Sequence, residues 1–132
     1  MGFWIFMLLM VELIPVAMLA IGFWFRRRPP ATINFIVGYR TARSMQNEDT
    51  WRFAHQHCGA VWQKIGLVLV PLSALIMAFF YGASEEKVGV LAGGLCIVQC
   101  VVLLCSVIPT ERALKRTFDE SGKRREDAPP RA

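Results

Sequence analysis

The chain has 132 residues, 55% of them hydrophobic and 19% charged, and the charges avoid three long windows. That pattern belongs to a membrane protein and excludes a soluble globular domain or a disordered chain. The net charge of +5 is spread over segments flanking the windows. No nucleic-acid-binding motif accompanies it, so no nucleic-acid partner is expected.

The first window, Phe3 to Phe25, is 23 residues with Glu12 as its one acidic or basic group. A helix rises about 1.5 Å per residue and the hydrocarbon layer is about 30 Å thick, so this window spans easily. A cleaved signal peptide is disfavoured, because no basic residue precedes the run and "RRRPP" follows it as a stop-transfer cluster. Pro29 and Pro30 end the helix, since proline lacks the amide proton and pushes its predecessor toward extended backbone. From Ala31 to Arg43 the apolar residues are too few to span, and the piece is expected to lie along the membrane interface. Gly38 offers a turn with positive φ, and Tyr39 and Arg40 suit the headgroup level.

Helix signals resume at Ser44 or Asn47, either of which can cap, with Glu48 and Asp49 in the first turn. Trp51, Ala54, His55, Cys58 and Trp62 then share one face. The expectation is an amphipathic helix that feeds the second spanning helix, with a bend at Gly59. The second window, Ile65 to Tyr81, has 17 residues and the third, Val88 to Ile108, has 21, both without charge. Three spanning helices at about 3–25, 61–82 and 88–109 result, in an all-α membrane protein with one domain over 1–122. The charged run "TERALKRTFDESG" continues as a helix stopped at Gly122, and the basic tail 123–132 is expected to be disordered.

Basic residues orient the spans. Seven basic and two acidic residues lie from Arg26 to Lys64, and seven basic and five acidic from Thr110 onward, whereas "GASEEK" carries one Lys against two Glu. Basic flanks stay on the cytoplasmic side, so the amino terminus is expected outside, the long loop and the tail inside. These flanks also face anionic headgroups of the lipid bilayer.

An ionisable group as deep as Glu12 is costly and marks a functional-site candidate. The helical rise puts Ser73 and Gln99 at nearly the same height, which predicts one intramembrane polar layer from three helices. Pro15 and Pro71 lie beside it and are expected to kink their helices. Small residues at four-residue spacing, such as Gly89 with Gly93, either seal helices together or join protomers of a homo-oligomer. The four cysteines read as buried apolar thiols. His55, His57 and Cys58 match no strong metal signature, and no nucleophile elbow or phosphate loop is present, so no metal, no cofactor and no enzyme is expected.

The run "INFIVGYRTARSMQNEDTWRFAHQHCGAVWQKIG" resembles the signature of the SdpI family. Asn34, Gly38, Tyr39, Arg40, Thr41, Ser44, Met45, Asn47, Trp51, Ala54, His55, Gly59, Trp62 and Gly66 carry the likeness, which extends over roughly residues 3 to 125 as in short, three-helix members. The resemblance implies an integral protein of the bacterial plasma membrane that gives immunity to, or senses, a secreted antimicrobial peptide toxin. It further implies signalling by holding a transcriptional repressor at the membrane, with the stretch Asn34 to His57 as the surface for that cytoplasmic partner. Read from the residues alone, the same hydrogen-bonding side chains form either an internal latch under the bundle or a recognition site for a protein or lipid phosphate. The alternative function is a small proton-linked transport module centred on Glu12.

Overall fold

The computed structural model describes residues 1–33, 36 and 38–126. Four helices follow one another: α1 (Gly2–Arg27), α2 (Glu48–Phe79), α3 (Glu85–Cys105) and α4 (Val107–Thr117). Among the described residues there is no strand, and one isolated antiparallel bridge joins Phe118 to Arg124. Three helical stretches, Gly2–Arg27, Glu48–Phe79 and Glu85–Thr117, are long and apolar enough to cross a membrane. The chain forms two compact units: Met1–Ile21 with Trp62–Cys105, and Gly22–Val61 with Ser106–Ala132.

The first unit is a three-helix assembly. Its small core is Val11, Met77, Val88 and Ala92, with Phe3, Trp4, Met7 and Leu8 packed against it. The Trp4 indole donates to the Met77 carbonyl at 3.0 Å and meets the Tyr81 ring edge-on at 5.0 Å. The outward faces carry Leu9 at 61% exposure, Val68 at 62%, Val90 at 73% and Ile97 at 69%. An apolar surface on three sides at once would drive aggregation in water, whereas in hydrocarbon it is the matched surface.

The second unit is more polar and is closed by local chemistry. Asn47, not Ser44, caps α2: the Thr50 amide donates to Asn47 Oδ1 at 2.9 Å, and the Asn47 amide donates to Thr50 Oγ1 at 3.0 Å. This reciprocal pair satisfies donors that a helix start leaves open. From there α2 runs for 32 residues through Gly59 and Pro71. Residues 48–60 are the first turns of one long helix, so the segment expected to feed the second spanning helix is continuous with it.

Gly59 serves packing. A Cβ there would lie 2.7 Å from both the Gly22 carbonyl oxygen and the Arg26 amide nitrogen, so only glycine allows α1 backbone this close to α2. Helix ends also differ from the sequence expectation. α2 stops at Phe79 with turns through Gly82, α3 starts at Glu85, and Ser106 interrupts the third run before α4. α4 ends at Thr117, so Gly122 (φ +83°) is not a helix stop. It lies in a tight return in which the Asp119 amide donates to the Lys123 carbonyl and the Arg125 amide to the Thr117 carbonyl, both at 2.8 Å. Residues 123–125, expected to be disordered, thus pair with the end of α4. Residues 127–132 lie outside the described residues.

Candidate functional site

The polar unit gathers most of the loop residues singled out by the sequence. Gly38 adopts φ +117°, a region open to glycine, and a Cβ there would collide with His55 Nε2. This close approach lets the next amide, that of Tyr39, donate to His55 Nε2 at 2.9 Å. The other ring nitrogen, Nδ1, lies 2.8 Å from the Trp51 carbonyl, which can only accept. The network therefore assigns the proton to Nδ1 and makes Nε2 the acceptor.

His55 is fully buried, between the edge of Phe25 at 4.8 Å and the Trp51 ring at 4.2 Å. Burial pushes its pKa below the ordinary 6.5, opposed by the bond to the Trp51 carbonyl. A neutral imidazole is what both bonds require. Trp51 is 1% exposed and its indole donates to the Pro30 carbonyl at 2.8 Å, which pins the chain just after α1.

Tyr39 reaches in the other direction. Its hydroxyl donates to Glu111 Oε1 at 2.7 Å, and burial followed by the Glu111 carboxylate pushes its pKa upward. Ser44 is buried, donates to the Tyr39 carbonyl at 3.0 Å and accepts from the Thr41 amide at 2.9 Å. The Met45 amide donates to the Thr41 carbonyl at 3.1 Å, which closes the turn. Asn47 also reaches beyond its helix: its Nδ2 donates to the Gly122 carbonyl at 2.7 Å, beside the Gln46 amide group on the Glu120 carbonyl at 2.7 Å.

The result is a latch of Tyr39, Ser44, Asn47, Trp51 and His55, joined to Glu111 and Gly122. Arg40 is exposed, on the surface of the unit and not among these buried groups. Asn34 lies outside the described residues. Glu111, Thr110 and Gly122 are partners the sequence reading missed. Thr110, Leu114 and Thr117 are buried at helical spacing, a stripe inside the charged helical run "TERALKRTFDESG". His57 Nδ1 pairs with Thr110 Oγ1 at 3.1 Å on that same stripe.

In the apolar unit, Ser73 Oγ donates to Glu12 Oε1 at 2.6 Å and lies equally close to the Leu69 carbonyl. Gln99 is 2% exposed, and neither its Oε1 nor its Nε2 has a partner. Glu12 Oε2 is likewise buried and unpartnered. The expected link from Glu12 to Ser73 forms; no hydrogen bond ties Gln99 into it.

An all-helical chain with three spanning helices and a polar unit latched by its own loop defines the class: a multi-pass helical membrane protein. The model of the SdpI/YfhL protein family matches residues 31–110, which run from the loop into the start of α4, and the chain belongs to that family. A relative in Bacillus subtilis strain 168, the uncharacterised protein YfhL, is 29% identical over 112 residues, covering 81% of this chain and 88% of that protein. No solved structure matches.

Proposed function

We propose that this protein acts, without catalysing a reaction, in immunity to or sensing of a membrane-active peptide toxin at the bacterial plasma membrane. In this reading the polar unit faces the cytoplasm and the amino terminus faces out. The supporting observation is that the family-matched loop turns its polar chemistry on itself: Tyr39, Ser44, Trp51 and His55 are buried and bonded within the protein, so they shape a surface instead of holding a substrate. What that surface offers outward is mixed with a basic excess: Arg40, Arg52, Lys115, Arg116 and Lys123 are exposed, beside Glu48, Asp49, Glu120 and Glu126. Such a rim suits anionic headgroups and steers an acidic face of a soluble regulator toward the membrane. The charge asymmetry of the flanks supports the orientation.

The test is survival of a susceptible bacterium challenged with a membrane-active peptide, with and without expression of this protein. Protection is expected, and it should be lost when His55→Ala opens the latch while Arg40→Ala keeps the protein inserted but weakens its signalling to a regulator. Equal killing with and without correctly inserted protein would sink the immunity reading. Single cysteines at positions 40, 85 and 125, in a variant lacking the native cysteines, test the orientation with an impermeant thiol reagent; labelling only at 85 is expected.

A further inference from the structure

The apolar unit holds a charge problem that the latch does not share. Glu12 lies in a window with no Lys, Arg or His, and the windows at Ile65–Tyr81 and Val88–Ile108 hold none either. A carboxylate at that depth needs a counter-charge or a proton. The same compact unit holds several oxygens with no hydrogen bond to accept. Glu12 Oε2 and Gln99 Oε1 are buried and bond to nothing among the described residues. The Ser73 hydroxyl has a single hydrogen for its three acceptors, Glu12 Oε1 at 2.6 Å, the Leu69 carbonyl at 2.6 Å and the Val70 carbonyl at 3.3 Å, and it accepts no bond itself, so its lone pairs are open. Pro15, inside α1, has no amide proton to give the Val11 carbonyl.

These groups lie at one height. α1 and α3 run in the same direction, both antiparallel to α2, and Phe3 lies against Gly89, where a Cβ would sit 3.8 Å from the ring. Nine residues on from Phe3 is Glu12 and ten on from Gly89 is Gln99. At about 1.5 Å per residue the two climb to within roughly 2 Å of the same level. The bond from Ser73 to Glu12 fixes α2 there too.

We propose that this layer is a binding site for a single alkali-metal cation, held by Glu12 Oε2, Gln99 Oε1, Ser73 Oγ and the Val11 carbonyl. Carboxylate, carboxamide, hydroxyl and carbonyl oxygens are the hard donors such an ion takes in place of water. One carboxylate neutralises one unit charge, so the loaded site is neutral in hydrocarbon, whereas a divalent ion would leave a net positive charge. The Glu12 carboxylate offers about four lone-pair directions, enough for the ion, the Ser73 hydroxyl and the Gln99 amide, which is otherwise unpartnered. Broken spanning helices of transporters hold ions with unwound carbonyls; α1 stays helical through Pro15, and the proline leaves the one carbonyl of Val11 without its amide. Of the proposed ligands, Glu12 and Val11 lie outside the family-matched residues 31–110 and Ser73 and Gln99 within them.

The experiment uses the full-length protein in detergent, in NaCl against choline chloride at equal ionic strength. Two readouts are taken: the thermal midpoint, and the rate at which a lipophilic carbodiimide modifies Glu12, followed by mass spectrometry. NaCl is expected to raise the midpoint and, at ten times the dissociation constant, to slow labelling about tenfold, since only about one site in eleven then remains empty. Gln99→Leu should remove the sodium dependence of both readouts in a protein that still folds, and Glu12→Gln should abolish labelling. Should either variant fail to fold, the salt comparison on the unmodified protein decides alone. Labelling at one rate in both salts with no change in midpoint overturns the site, and would mean that the proton is the only occupant of Glu12.

Discussion

His55 and Gln99 are both buried polar side chains in helices, yet they are served in opposite ways. In the unit of Gly22–Val61 and Ser106–Ala132, His55 has a partner on each ring nitrogen. In the unit of Met1–Ile21 and Trp62–Cys105, Gln99 has none on either end of its carboxamide. The difference lies in backbone supply. An irregular loop frees amides and carbonyls, and those of Tyr39 and Pro30 bond to α2 side chains. Three regular helices consume their backbone groups internally, so a polar side chain between them must find another side chain, a proline-freed carbonyl or a ligand. Completed networks rigidify a unit, whereas a buried polar group without a partner lowers its stability.

Substitutions can break this comparison. The largest effect is expected at Gly59, where the close approach of α1 backbone is part of the polar unit: Gly59→Leu should cost more than about 3 kcal/mol, because backbone cannot yield as a side chain would. Thermal unfolding in detergent measures it, and a loss under about 1 kcal/mol would mean that the helices are not held this close. Next come the two buried polar residues. His55→Ala should cost about 2–4 kcal/mol, since it opens a cavity and strands the Tyr39 amide. Gln99→Leu in choline chloride should be neutral or slightly stabilising, because it removes donors and acceptors that had no partner. The same sign for both would erase the distinction between the units.

Acid should act on one unit first. His55 has a folded pKa below its unfolded value of about 6.5, so the neutral form is the one folding favours. Its contribution is whole above pH 6.5 and is lost as pH falls from there toward the lower folded value. Protection of the Tyr39 amide, its exchange taken relative to the intrinsic rate at each pH, should fall over that window, and should show no such step in His55→Gln. Smaller again is Asn47→Ala, about 1–2 kcal/mol for the lost cap, accompanied by release of the Asp119–Lys123 turn that Asn47 also holds. Tyr39→Phe is the mildest, at about 1 kcal/mol for one hydrogen bond to Glu111. Proteolysis at the turn in Asn47→Ala but not in Tyr39→Phe would separate the two anchors.

Much of the fold is legible along the chain because hydrocarbon imposes a one-dimensional rule. A window of about twenty apolar residues has to be a helix, since no water is there to serve its backbone. That rule delivers the three spanning helices, and proline chemistry delivers the end of α1 before Pro29. The cap at Asn47 and the positive φ of Gly38 follow equally from local chemistry. Which of Ser44 and Asn47 caps is another matter: Ser44 is taken by the Thr41 turn, a competition between two local motifs that spacing does not rank.

The rest needed neighbours from far along the chain. The packing role of Gly59 shows only once Gly22 and Arg26 are seen against it. Glu111 is one charge among many in the run "TERALKRTFDESG" until Tyr39, 72 residues away, donates to it. Helical rise alone places Glu12, Ser73 and Gln99 at one height, but rise carries no information on rotation about each helix axis. Composition and spacing therefore determined that this protein has three helices long and apolar enough to cross a membrane, and which polar residues lie deep within them. Only the tertiary structure decided that Ser73 turns toward Glu12 while Gln99 keeps its hydrogen-bonding groups open, because which face meets which is set by packing between segments distant in sequence.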